Sequence, residues 1–306
     1  MKKTMFFLGK GGVGKSTVSS ATAVRLSRED PILHVSLDPA HNLADIYGME
    51  LTRTIRPVAS NLDALEVDLQ EWVTRYLRQS QQELRENYAH TSTINLDPFF
   101  SVMKYTPGTE EYAVLWAIED IVAENSSRYQ TIIFDTPPTA LSLRFLVMPT
   151  VSKRWVEELT RLRELILTKR QTVLRINPEA TTLQGAATKD DDRVYNRLIG
   201  ISSRLSRLYE LFTRESYITV IVNDDKLSVA ESRRIRDELT RIDIPLHSVC
   251  LNKISCTDPE DQESAIAEVF PGLPLFTTGI VMEGINAVND LEHLEVGPLV
   301  AHFRSS

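Results

Sequence analysis

The sequence predicts an α/β fold: a doubly wound, mostly parallel sheet with helices on both faces and an inserted helical subdomain. Three observations predict it. Short apolar runs alternate with helical periodicities, the pattern of β-α-β units. The first run ends in a glycine-rich turn that opens a helix. Two other runs end in aspartate, at the strand ends where such sheets bind ligands.

Taken in order, residues 5–8 are a short apolar run closed by glycine, which reads as a buried strand. A helix follows over 16–28. Residues 32–37 form a second strand, and 62–67 a weaker third. The β-branched run 131–134 ends in Asp135, and 217–222 and 246–251 are similar. A helix fills 228–241. Two stretches, about 69–125 and 151–215, carry helical periodicity with almost no strand signal. In the second, Ile201, Leu205, Leu208 and Phe212 recur at spacings that share one helix face. Residues 177–192 hold Pro, Thr, Gly and a Lys-Asp-Asp-Asp run, and read as an exposed loop. The expectation is one domain over 1–306, with helical insertions at about 69–125 and 151–215.

Composition narrows the function. The 306 residues carry 34 basic and 42 acidic side chains, a net charge of −8. Nucleic-acid binders are usually basic, so no nucleic-acid partner is expected. Two cysteines, Cys250 and Cys256, exclude a disulfide scaffold and fit a reducing cytoplasm. The run 269–282 is the longest without charge, but it is broken by Pro271, Gly272, Pro274 and Gly279. A spanning helix needs about 20 apolar residues, so no integral membrane segment is expected.

The string Gly9-Lys10-Gly11-Gly12-Val13-Gly14-Lys15-Ser16-Thr17 matches G-x-x-x-x-G-K-[ST] between a strand and a helix. This is the context of a P-loop nucleoside triphosphate hydrolase. Glycines let backbone N–H groups wrap phosphate, and the helix that follows presents its positive end. Lys15 supplies charge to the β- and γ-phosphates, and the Ser16 hydroxyl is placed to ligate Mg²⁺. A metal–triphosphate site also needs hard oxygen ligands and a group that orients water. Asp38 and Asp135, at the ends of their strands, have the right chemistry. The expected cofactors are ATP and Mg²⁺.

Lys10, a second lysine inside the loop, makes 10–15 resemble the deviant phosphate loop of the class containing MinD, ParA, the nitrogenase iron protein and ArsA. That resemblance implies a homodimer in which Lys10 reaches the partner's nucleotide. Residues 37–45, Leu-Asp-Pro-Ala-His-Asn-Leu-Ala-Asp, resemble the first switch of the ArsA/GET ATPases. Residues 135–144 resemble the second switch, which usually reads Asp-Thr-Ala-Pro-Thr-Gly-His-Thr-Leu-Arg. Here Pro137, Ala140 and Leu141 replace the alanine, glycine and histidine. The resemblance extends to 228–234. It implies that Asp225 lies near the partner's nucleotide and that Asn252 reads adenine.

The family comprises arsenite-pump ATPases and targeting factors for tail-anchored membrane proteins. The implied activity is a dimeric Mg²⁺-dependent ATPase whose switches drive membrane-protein handling or metalloid export. Its partner would be a membrane-protein client or a pump subunit. In this reading Asp38 positions water, Asp135 supports the metal, and Lys10 stabilises the partner's γ-phosphate. The alternative is a positioning switch of the ParA/MinD kind, though residues 291–306 hold Arg304 as their only Lys or Arg. The C-x-x-C pair of zinc-sharing targeting factors is missing, so no zinc is expected and both cysteines read as buried thiols. Trp155, Leu159, Leu162, Leu165 and Ile166 read as the core of a packed helical hairpin, with a client groove as the alternative.

Overall fold

The computed structural model describes residues 3–39, 42–87, 108–177, 188–254, 259–281, 284–285 and 287–306. Cys256, residues 40–41 of the first switch and much of the predicted 177–192 loop lie outside these.

The strands are β1 (Thr4–Leu8), β2 (Ile32–Ser36), β3 (Arg56–Ala59), β4 (Leu62–Glu66), β5 (Thr131–Asp135), β6 (Ser216–Val222), β7 (Ser248–Ile254) and β8 (Leu275–Gly279). The described helices are α1 (Lys15–Ser27), α2 (Asn42–Tyr47), α3 (Leu69–Asn87), α4 (Thr109–Asn125), α5 (Thr139–Ile176), α6 (Arg193–Glu210), α7 (Lys226–Arg241), α8 (Pro259–Val269) and α9 (Gly297–Ser305). A π-helical turn, Leu211–Glu215, and a 3₁₀ turn, Val288–His293, complete them.

All eight strands form one sheet in the order β3-β4-β2-β5-β1-β6-β7-β8. Only β3 runs antiparallel to its neighbour. Because side chains alternate along a strand, the continuous apolar run of β1 divides between two cores. Phe6 and Leu8 join one with Val114 of α4, Phe145 of α5, Leu208 of α6 and Ile235 of α7. Met5 and Phe7 join the other with Val18 of α1, Leu43 of α2 and Phe303 of α9. Phe6 stacks on Phe134, with ring centroids 4.7 Å apart. Helices therefore cover both faces. The chain's last helix is docked, with Leu299, Val300 and Phe303 buried and Arg304 paired to Glu29 and Asp30.

Several boundaries differ from expectation. β3 and β8 carry weak apolar signals: β3 is an exposed edge, and β8 lies inside the Pro/Gly-broken run 269–282. The helix expected from 151 begins at Thr139 and runs for 38 residues through the buried Pro149. α6 ends at Glu210, so Phe212 enters the core from the π-helical turn. Asp192, read as part of an exposed loop, is buried. It caps α6 by accepting from the Tyr195 N–H at 2.7 Å and receives Arg163 in a two-bond fork at 2.9 and 2.6 Å. A buried carboxylate is tolerated there because every bond is charge-assisted. Burial raises its acidity cost, but the Arg163 guanidinium prevails and holds the carboxyl below its ordinary range.

The largest correction concerns α5. Trp155, Leu162, Leu165 and Ile166 are exposed rather than hairpin core, with Trp155 at 67%. Leu159 is half-buried. Val151, Val173 and Ile176 are exposed on the same helix. At 100° per residue all seven exposed side chains fall within a stripe of about 100°.

Candidate nucleotide site

Three parallel strands deliver the predicted site to one end of the sheet. β1 lies between β5 and β6, and β2 adjoins β5. The chain leaves β1 toward α1 on one side and returns through β5, so the crevice opens at a switch point in strand order. Phe7 and Ser36 both pair in register with Asp135, which sets the β1, β2 and β5 ends level.

The loop 9–14 connects β1 to α1 as expected. Gly9 has φ 151°, and a Cβ there would stand 2.5 Å from the Ile221 carbonyl of β6, so only glycine lets the loop leave the sheet. Gly14 is left-handed at φ 94° and caps α1. Lys15 and Ser16 are the first residues of α1, placing the amine, the hydroxyl and the helix's positive end together. Thr17 follows on the same first turn.

Lys15 is buried at 5% exposure, and its Nζ donates to the Lys10 carbonyl at 3.4 Å. Burial lowers its pKa, while the Asp135 and Asp38 carboxylates raise it. Asp135 is fully buried, and neither carboxyl oxygen has a hydrogen-bond partner among the described residues. Burial pushes its pKa up to about 7; the nearby Ser16 hydroxyl and Lys15 ammonium pull it down, and Asp38 adds to the rise. A buried carboxylate without a partner is costly unless a cation completes it. With the Ser16 hydroxyl and Asp38 beside it, the donor set is hard oxygen, which fits Mg²⁺ held jointly with phosphates. Among the described residues no group of three or more His, Cys, Asp or Glu is placed to hold a metal unaided.

Asp38 lies just beyond β2, 8% exposed, its N–H donating to Ser36 Oγ at 3.3 Å. The segment that resembles the second switch is anchored at both ends. Thr136 Oγ1 donates to the Phe7 carbonyl at 2.6 Å, and Ser142 Oγ donates to the Pro137 carbonyl at 2.6 Å. Thr139 then opens α5 directly.

Lys10 and Asp225 come together. Lys10 Nζ stands 3.7 Å from Asp225 Oδ1 with both side chains partly exposed. Asp225 also caps α7 by accepting from the Ser228 N–H at 2.8 Å. Asn252, 3% exposed at the end of β7, faces the loop: its Nδ2 donates to the Val13 carbonyl at 2.7 Å. Cys250, two residues before it, is fully buried, and burial pushes its thiol up to about 12, which makes it inert.

Some residues of the site escaped the sequence reading. Glu66, 7% exposed at the end of β4, accepts the Ala44 N–H at 3.0 Å and so holds the first turn of α2, just after the first switch. His34 of β2 is fully buried between Tyr47 of α2, 2.7 Å from its Nδ1, and Ser19 of α1, 3.1 Å from its Nε2. Burial lowers its pKa to about 3, so the ring is neutral. Asn223, Lys253 and Thr278 sit around the loop as well. The signal that could have found most of them is polar residues recurring at the carboxyl ends of β4, β6, β7 and β8.

A family model described as anion-transporting ATPase matches residues 2–269. The chain is 29% identical to a protein assigned as arsenical pump-driving ATPase 2 in Aquifex aeolicus, over 85% of this chain and 83% of that protein. It is 31% identical to the ATPase get3 of Schizosaccharomyces japonicus, over 84% of this chain and 76% of that protein. It is 30% identical to the ATPase GET3 of Lodderomyces elongisporus, over 85% and 74%.

Proposed function

This chain belongs to the anion-transporting ATPase family and is an ATPase, and we propose that it spends ATP, as a Mg²⁺-dependent homodimer, on shielding an apolar helical segment of a client protein. The observation that carries this reading is the stripe on α5. Val151, Trp155, Leu162, Leu165, Ile166, Val173 and Ile176 are all exposed on one face. From Val151 to Ile176 these side chains span about 38 Å at 1.5 Å per residue, with the exposed Glu158 and Lys169 on the same face. That matches an apolar helix of about 20 residues or more, the length that crosses a bilayer core of about 30 Å. A stripe of this size on a charged, water-soluble surface marks an interaction site. No described helix of the chain is itself long and apolar enough to cross a membrane.

In the proposed cycle the loop amides and Lys15 bind the phosphates. Ser16, Asp135 and Asp38 would hold Mg²⁺, which supplies charge neutralisation at the β- and γ-phosphates. Asp38 orients the attacking water. Lys10 leaves Asp225 and crosses to the partner's γ-phosphate. The exposed ion pair costs under about 1 kcal/mol to release, so it does not resist that transfer. The second switch couples chemistry to client, because α5 starts four residues after Asp135 and carries the stripe on the same helix, beyond Pro149. A helix transmits a shift at its first turn to its far end.

Metalloid export is the pump-driving activity named for the Aquifex relative. Soft metalloids are held by thiol clusters, and this chain has two cysteines, one of them inert within β7. Client shielding is therefore the reading we adopt. The test is binding of a fluorescent, 20-residue apolar helical peptide to the ATP-loaded protein. Capture that is lost in Leu162→Asp/Leu165→Asp supports the reading. Absence of capture, with ATP hydrolysis intact, refutes it.

A further inference from the structure

The resemblance assigns Asn252 to the adenine base, and its amide also bonds inside the protein. Nδ2 donates to the Val13 carbonyl of the loop at 2.7 Å. Oδ1 accepts from Thr278 Oγ1 at 2.7 Å. Thr278, on β8, is 2% exposed. The Val13 carbonyl can only accept, so Nδ2 must face the loop, which leaves Oδ1 to accept from the Thr278 hydroxyl. Asn223, just after β6, places its amide against the same carbonyl, and with its amide nitrogen assigned to that side it donates at 3.1 Å. Lys253 donates its Nζ to the neighbouring Gly12 carbonyl at 3.2 Å from a left-handed backbone, φ 59°. Gly14 makes room for the contact: a Cβ there would meet Asn252 Nδ2 at 2.2 Å.

We propose that Asn252, locked by Thr278, is a positioning residue that clamps the back of the phosphate loop in its phosphate-receiving shape, a role additional to any contact with the base. The physical basis is the planar trans peptide. In the unit joining Val13 to Gly14, the C=O and N–H point in opposite directions. Pulling the Val13 carbonyl back toward β7 turns the Gly14 N–H forward into the loop's concavity, where it can donate to an anion. The flanking glycines at 12 and 14 have positive φ and little intrinsic preference, so the loop needs an external restraint to keep that peptide from turning. A buried amide held at both ends provides one. The clamp enters binding only through the phosphates.

This inference rests on the loop being the nucleotide site, and the experiment separates the two. Asn252→Asp keeps the size and the acceptor for Thr278 but sets a carboxylate oxygen against the Val13 carbonyl. Thr278→Val keeps the shape and removes the lock. Affinities for ATP, GTP and inorganic tripolyphosphate are measured by calorimetry with Mg²⁺. Amide exchange over residues 9–17 is followed without nucleotide. Losing a buried partner predicts a weakening of roughly 10- to 100-fold in Asn252→Asp, for the base-free tripolyphosphate as well as for ATP and GTP. Thr278→Val weakens all three by a smaller factor. Exchange in the loop accelerates in both variants while the β1 and β5 amides keep their protection. Weakening of ATP alone, with tripolyphosphate unchanged, overturns the clamp in favour of base reading. Unchanged affinities with unchanged loop exchange overturn it as well. A wild type that binds none of the ligands refutes the nucleotide site instead, and loop exchange then decides the clamp alone.

Discussion

Asp135→Asn is the perturbation whose size the structure specifies most directly. The carboxyl is buried without a hydrogen-bond partner among the described residues, and its pKa rises from 3.8 to about 7. In the unfolded chain it titrates near its ordinary value. Between about pH 4 and 7 the folded protein therefore holds a proton that the unfolded chain has lost. Stability from this group is complete below pH 4 and falls as pH rises toward 7. At about 1.4 kcal/mol per pH unit the full loss is about 4 kcal/mol, and about 2–3 kcal/mol of it falls between pH 5 and 7.5. His34 works in the opposite sense. Its pKa is lowered to about 3, so stability falls as pH drops from about 6.5 toward 3, while the unfolded imidazole gains its proton. Total stability is thus a poor readout, and the difference between wild type and Asp135→Asn isolates the carboxyl. Urea unfolding without nucleotide or metal should show the variant gaining about 2–3 kcal/mol on wild type between pH 5 and 7.5. Parallel stability profiles for the two proteins would refute the buried, unpartnered carboxyl. A second readout is calorimetric titration with Mg²⁺ and ATP at pH 6 in buffers of differing ionisation heat. Metal ligation needs the carboxylate, so close to one proton should be released, and Asp135→Asn should release none at this position.

Lys15→Ala removes the buried ammonium from the loop and should abolish detectable ATP hydrolysis and weaken ATP binding in calorimetry. Lys10→Ala should leave ATP binding within a few-fold but lower hydrolysis by about 10³-fold or more, by analogy with charges supplied in trans, and should lower the ATP-dependent dimer fraction in light scattering. His34→Leu removes one bond each from the Ser19 hydroxyl, which still donates to the Ser16 carbonyl, and from Tyr47, and should cost about 1–3 kcal/mol at pH 7 in urea unfolding. The same variant should be less sensitive than wild type to acid between about pH 6.5 and 3.

Much of this fold was legible because its inner strands are continuous apolar runs between helical periods. β1, β2, β5 and β6 are buried along their whole length, so local sequence and final environment agree. β3 escaped because an edge strand has one neighbour and leaves three of its four residues exposed. The start of α5 escaped because Pro149 interrupts its pattern, yet the proline is accommodated inside the helix. Periodicity placed the apolar residues of α5 on one face but carries no information on whether another element covers that face. Here no described element does, which turned an expected core into an exposed stripe. At the site, the loop and the two strand-end aspartates could be read because their spacing is local. The bonds of Asn252 to Val13 and of Thr278 to Asn252 join β7 to the loop and β8 to β7, and no local pattern encodes them.

Nucleotide binding at the loop and occupancy of the apolar stripe on α5 should be energetically coupled through the segment that resembles the second switch. Coupling between two binding sites is reciprocal, so a client peptide must change ATP affinity by the same factor that ATP changes peptide affinity. The direct measurement is ATP titration of the Asp38→Asn protein, blocked in hydrolysis, with and without a saturating 20-residue apolar helical peptide. The account predicts that the peptide tightens ATP binding about 5- to 150-fold, the usual range of such coupling. Introducing Leu162→Asp/Leu165→Asp should erase that gain. Identical ATP affinity with and without bound peptide would contradict the account.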